Sequence, residues 1–305
     1  MSPRPSTSTA LLARKDFEDA IRSKMIWAVM GVFVFLMGII ALGAATDNLS
    51  EADSTEVIGV VADIGGLLLI PIMALLVGYM AIVGERQSGS LRVLFGLSHG
   101  RWNVFAGKFV SRLAVIAVAS VVASLVGVGI ALALFQDVPV ATFLGFSLLT
   151  VLLGMAFTAI AVGISGVTAS RMQAMAGAIG SYVVFTLVWH PAVTALHYLV
   201  EGELPGLEAP DWYFFLLSLN PLEAYRAAAS ELAGQFIWPM LGWQNMVEDV
   251  PEEAASDPEA LLVSSRVGGE LPFYLSEPFA GIVLLFWIAV PLAIGYWRFE
   301  RADLN

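Results

Sequence analysis

The chain has 305 residues, 58% of them hydrophobic and only 13% charged, with a mean hydropathy of +0.80. A soluble domain is about 45–50% apolar and about 25% charged, so this composition calls for lipid as solvent. The net charge of −11 argues against a nucleic-acid binder, which needs a basic face, and the lack of cysteine excludes disulfides and thiolate metal sites.

Residues 10–24, ALLARKDFEDAIRSK, place Ala13, Phe17, Ala20, Ile21 and Lys24 at helical spacing with charges between them. That pattern predicts an amphipathic helix lying on the inner membrane surface. A helix needs about 20 apolar residues to cross about 30 Å of hydrocarbon. Six runs are predicted to do so: 25–45, 61–83, 109–135, 140–162, 172–188 and 279–297. The first is expected to be retained rather than cleaved as a leader, because it is long and follows three acids, Asp16, Glu18 and Asp19. The fifth either bends or ends near Pro191, or runs on to Val200.

Between the second and third runs lies the stretch 85–108, ERQSGSLRVLFGLSHGRWNVFAGK. Leu91, Leu94, Phe95 and Ser98 stand at i, i+3, i+4 and i+7, which predicts a short helix from about Ser90 with three large apolar groups on one side. Ser88, Gly89 and Ser90 supply a turn and an N-cap. Such a ridge, flanked by Arg86, Arg92 and Arg101, suits either an apolar groove on a partner or the lipid surface itself. Further on, LNPLEAYR (219–226) should start a helix, with Asn220 as cap, Pro221 in the first position and Glu223 in the third.

If both termini are cytoplasmic, 13 of the 15 basic residues fall inside and only Arg226 and Arg266 outside, as the positive-inside rule requires. The acids divide the other way, 6 inside and 20 outside, which leaves the outer face near −18. Much of that charge lies in a large outer segment, 201–278. Its acidic stretch 247–260 fits a surface hydrated in concentrated salt, as in a halophile, or an acidic, partly disordered loop.

Catalytic patterns are missing. No ionisable residue sits at the centre of a span, where carriers and intramembrane enzymes place them. His190 and His197 are seven apart and could share a helix face, but no cysteine or i, i+4 carboxylate accompanies them; an interfacial histidine pair fits better than a metal site. Gly100 to Phe109 has six residues between its glycines where a phosphate loop has four, and Phe109 where Ser or Thr would hold magnesium. ATP, if used, must be bound by another chain.

Four segments in order resemble the permease subunits of type-2 ATP-binding-cassette transporters, the exporter class that includes the copper-enzyme-maturation permeases. They are ARKDFEDAIRSK running into the first span, ERQSGSLRVLFGLSHGRWNVFAGKF, LNPLEAYR, and the tail WRFERADL (297–304). The likeness covers nearly the whole chain. Family members often carry Pro where this chain has Ser98, which leaves the end of the short helix undefined. The resemblance implies an all-α, polytopic membrane protein with six transmembrane helices, an N-terminal surface helix and a cytoplasmic coupling helix, forming one permease domain over 1–305. It also implies that Glu85, Arg86, Gly89, Leu91, Arg92, Leu94, Phe95 and Arg101 form the interface to a separate ATPase subunit, which binds ATP and magnesium. A second permease copy or a paralogue would complete the transporter in the cell membrane. No cofactor is expected on this chain. Two other classes compete: an ion-coupled secondary carrier, disfavoured by the lack of midplane charges, and a membrane anchor whose outer segment binds a partner.

Overall fold

The computed structural model describes residues 5–46, 61–90, 100–135, 139–233, 243–251, 260–268 and 270–301. The described residues are helical throughout, apart from turns and one isolated bridge between Gly206 and Asp249. In chain order the helices are α1 (Pro5–Ile21), α2 (Lys24–Thr46), α3 (Ile70–Gly78), α4 (Val83–Ser88), α5 (Arg101–Leu134), α6 (Val140–Val167), α7 (Arg171–Val183), α8 (Trp189–Glu201), α9 (Asp211–Ser218), α10 (Pro221–Ala233), α11 (Trp243–Val247), α12 (Val263–Arg266) and α13 (Glu277–Glu300).

By length and composition, five stretches can cross a membrane: Ile64–Ser88, Arg101–Ala133, Val140–Val167, Arg171–Glu201 and Pro278–Glu300. In α2 the apolar part described, Trp27–Gly43, is shorter. The third span begins at Arg101 rather than near 109, so Arg101, Lys108 and Arg112 ride on the helix itself.

Helix α6 is the hub. It packs against α3, α5, α10 and α13, and most of its second half is buried. Small residues allow this approach, as expected where lipid offers no hydrophobic drive and close packing must hold helices together. A Cβ on Gly163 would strike the carbonyl of Pro291, and one on Gly166 would lie 2.8 Å from the carbonyl of Gly295. The α6 and α13 backbones are therefore in direct contact. Gly154 likewise makes room for Ile116, and Gly78 for Ala161.

Among the described residues two stretches are π-helical, and each leads into a proline. Val61–Leu69 is π-helical ahead of Pro71, and Val184–Val188 is π-helical ahead of Pro191. Proline has no N–H and its ring crowds the carbonyl four residues back; a π turn widens the helix and relieves both problems. Carbonyls in both stretches find side-chain donors instead. The Tyr182 hydroxyl donates to Leu67 O at 3.0 Å, Asn220 Nδ2 to Phe185 O at 2.8 Å, and Trp243 Nε1 to Thr186 O at 2.7 Å. Pro191 consequently does not end the fifth run, which continues to Glu201 as the longer of the two expectations had it.

The start of α10 follows its sequence signals. Asn220 Oδ1 accepts from Leu222 N at 2.9 Å, and Glu223 pairs with Arg226 at 2.7 Å. Asn220 does more than cap, since its amide also reaches the π stretch ahead of α8. Tyr225 is fully buried and fills the space left by Gly66.

Candidate coupling site

At one end of the bundle the segment 85–108 is helical on both sides of its centre. Helix α4 closes with Gly89 in the left-handed region (φ +75°), whose N–H bonds Arg86 O at 3.3 Å. A residue with a Cβ is strained there, so the turn read from Ser88-Gly89-Ser90 is glycine-dependent. Leu91, Arg92, Leu94 and Phe95 lie outside the described residues.

The two arginines that flank this centre face helix C-termini. Arg86 Nη1 donates to Thr168 O at 2.9 Å, just past α6. Arg101 Nη1 donates to Phe299 O at 2.9 Å and Glu300 O at 2.5 Å, at the end of α13. A cation on the last carbonyls of a helix satisfies orphan acceptors and complements the helix dipole. Both feet of the 91–99 stretch are thus tied to α6 and α13, the two helices whose backbones touch.

A second set of charges locks α1 to the same place. Lys108, only 9% exposed, is paired with Asp16 on α1 and with Glu85 on α4, the latter at 2.6 Å; Arg112 also approaches Asp16, at 3.4 Å. Ser90 Oγ donates to the Glu85 carboxylate. Helix α1 packs along α5 with Ala13 and Ala20 buried, while Ile21 is exposed, so the inward face is narrower than its spacing suggested. Gly107 permits this packing, as a Cβ there would come within 3.0 Å of Leu12 Cβ. Where α3 gives way to α4, the N–H groups of Ile82 and Val83 both bond Ser165 Oγ at 3.0 Å, so α6 also holds the break in the second span.

The opposite end carries a different cluster, one that sequence spacing does not reveal. Glu248 is buried and accepts from Arg266 Nη2 at 2.5 Å and from the Tyr213 hydroxyl at 2.8 Å, with His190 Nε2 at 3.0 Å. Arg266 also donates to Leu207 O and Gly206 O, at 2.9 Å each. Burial would raise the Glu248 carboxyl, but its bond to His190 and the Arg266 charge outweigh that and hold it below its ordinary value. Burial, with the Glu248 charge adding, pushes the Tyr213 hydroxyl well above its usual range, so it stays a donor. His197 stacks on Trp212 and its Nδ1 lies 3.1 Å from Glu203 O. Among the described residues no three His, Asp or Glu side chains gather as metal ligands.

Comparison with known proteins joins these features. The description "ABC-2 family transporter protein" matches residues 10–304. The chain belongs to that family. Two relatives are each described as a probable ABC transporter permease protein NosY. The one from Stutzerimonas stutzeri is 30% identical over 302 residues, covering 95% of this chain and 97% of the relative. The one from Pseudomonas aeruginosa is 34% identical over 226 residues, covering 70% of this chain and 78% of the relative. This ABC-2 chain is therefore a membrane permease subunit of an ATP-binding-cassette transporter, and the ATPase resides on an associated subunit rather than on the permease. Glu85, Arg86, Gly89 and Arg101 do meet around one segment of this permease, whereas the histidines singled out by their spacing belong to the far cluster.

Proposed function

We propose that this permease crosses the cell membrane six times, with α2 as the first span and both termini in the cytoplasm, and that 85–108 receives the motion of the ATP-binding subunit. ATP and magnesium bind on that subunit, and the permease works as a dimer exporting its substrate. The 23 residues of α2 would extend about 34 Å at 1.5 Å per residue, enough for hydrocarbon about 30 Å thick. The sidedness is supported by the 13-to-2 division of basic residues.

The observation that carries the coupling reading is the pair of arginine ties. With Arg86 fastened to the end of α6 and Arg101 to the end of α13, a push on residues 91–99 is delivered to the two most intimately packed helices in the bundle. The apolar ridge of Leu91, Leu94 and Phe95 supplies the grip. Together, Leu94→Ala and Phe95→Ala should cost about 2 kcal/mol or more of docking energy, roughly a thirtyfold loss of affinity for the ATP-binding subunit. Insertion and folding should survive, because these side chains lie outside the spans. Arg92→Ala should do less, since a rim charge is worth about 1 kcal/mol at most. Co-purification and stimulated ATP hydrolysis, measured on the double variant, decide the matter: full retention of both would reduce the ridge to a lipid-surface helix.

A further inference from the structure

We propose that a hydroxyl-lined cavity inside the bundle, between α2, α5, α6 and the π stretch of the second span, binds about two water molecules as a fixed part of the permease. The inference stands on the packing of one chain and needs neither the sidedness nor the coupling reading given above.

A serine or threonine within an apolar helix can satisfy its hydroxyl on the carbonyl one turn back. Ser147, Thr158, Thr186 and Ser230 do so, donating to the oxygens of Phe143, Gly154, Tyr182 and Arg226 at 2.7–2.8 Å. Ser120 does not. It is only 1% exposed, and its Oγ has no hydrogen-bond partner on the protein. It lines the cavity instead. A hydroxyl taken out of water and left unpaired is costly, most of all where hydrocarbon surrounds the bundle.

Size and chemistry select the occupant. About 30 Å³ of the cavity is open to the centres of water molecules, and one water needs about 10–15 Å³ on that measure. A bound water also needs about two to four polar partners. Ser120, Ser124, Ser147 and Thr150 bring hydroxyls to the wall. Ser147 has given its proton to Phe143 O and still offers lone pairs, while Ser120 can donate or accept. No Asp, Glu, Lys or Arg lines the space, so nothing there balances the charge of an ion. Phe33, Met37, Phe143 and Phe146 form the apolar remainder; an acyl chain would suit them but leave Ser120 unpaired. The position gives the water a structural consequence. Thr150 Oγ1 and the Tyr225 hydroxyl lie 3.2 Å apart, and the Tyr225 ring occupies the space that Gly66 leaves in the π stretch. Water between Ser120 and Thr150 thus ties α5 into the contact that seats α10 on the second span.

Radiolytic hydroxyl-radical footprinting of the assembled transporter tests this, because the radicals arise from water and mark the side chains beside it. Met37 lines the cavity and is 7% exposed; Met73, 3% exposed, is buried in the same core but does not line it. Met37 should oxidise severalfold faster than Met73. If the sample is mixed into heavy-oxygen water just before irradiation, the oxygen first added to Met37 should be the light isotope, since enclosed water exchanges slowly. Ser120→Val should lower the Met37 rate to that of Met73, and Ser120→Thr, which keeps the hydroxyl, should preserve it. Equal rates at Met37 and Met73 in the unaltered chain would overturn the proposal, and that comparison needs no variant to fold. Immediate uptake of heavy oxygen would also overturn it, by showing bulk solvent in place of bound water. So would an unchanged Met37 rate in a Ser120→Val transporter that assembles normally.

Discussion

At one end of the bundle Glu248 is enclosed by Arg266, Tyr213 and His190, and every ionic contact it makes is to this chain's own buried groups. At the other end Lys108 is shared between Asp16 and Glu85, while Arg86 and Arg101, on either side of the segment 91–99, hold backbone carbonyls at helix ends. The first arrangement is self-contained: it fastens α11 and α12 to α8 and α9. The second fastens three separate elements around the ends of the segment 91–99. Both use charge to hold helices, but only the second places its cations on the last carbonyls of α6 and α13.

The outer cluster offers the sharpest way to break this contrast. Glu248→Ala leaves Arg266 buried without its counter-ion, and loss of one partner from such a pair costs about 3–5 kcal/mol. The outer segment should become protease-sensitive and the tryptophan emission of Trp189, Trp212 and Trp243 should shift. Association with the ATP-binding subunit should persist. Equal loss at both ends would mean that the ends are not independent.

Acid should have a related but graded effect. The Glu248 carboxyl is held below its ordinary value in the folded chain, so its contribution is complete above the unfolded value of about 4.3 and is lost as pH falls through the lower folded value. Protease resistance of the outer segment should therefore be flat from neutral pH to about pH 5 and fall only in stronger acid. A decline between pH 7 and 6 would point to another group.

Asn220→Ala should have the smallest effect of the three. It removes a cap worth about 1 kcal/mol and also strips Phe185 O of its donor. The expected result is a modest drop in thermal midpoint, with the fifth span loosened near its π stretch and docking at the inner end unchanged.

These residues also show what was legible beforehand. The spans, the start of α10 at Asn220-Pro221 and the turn at Gly89 come from local patterns, which chain spacing records directly. Among the described residues five stretches are long and apolar enough to cross a membrane, and the apolar part of α2, Trp27–Gly43, is shorter than the run 25–45 in the sequence. The Glu248 cluster was not legible: its partners stand 18, 35 and 58 residues away, and only the tertiary fold makes them neighbours. The sharing of Lys108 between Asp16 and Glu85 is hidden for the same reason. The π stretches had a partial signal in Pro71 and Pro191, but whether a proline ends a helix or widens it depends on donors such as Tyr182 and Trp243 arriving from elsewhere.

The central claim, that the coupling segment and the Glu248 cluster lie on opposite sides of the membrane, can be read in one labelling experiment. Ser88→Cys and Ser265→Cys both place a thiol at an exposed position in a chain without native cysteine. In intact cells an impermeant thiol reagent should label the cysteine at 265 and spare the one at 88, which should react only after the membrane is opened. Labelling of position 88 from outside would contradict the account.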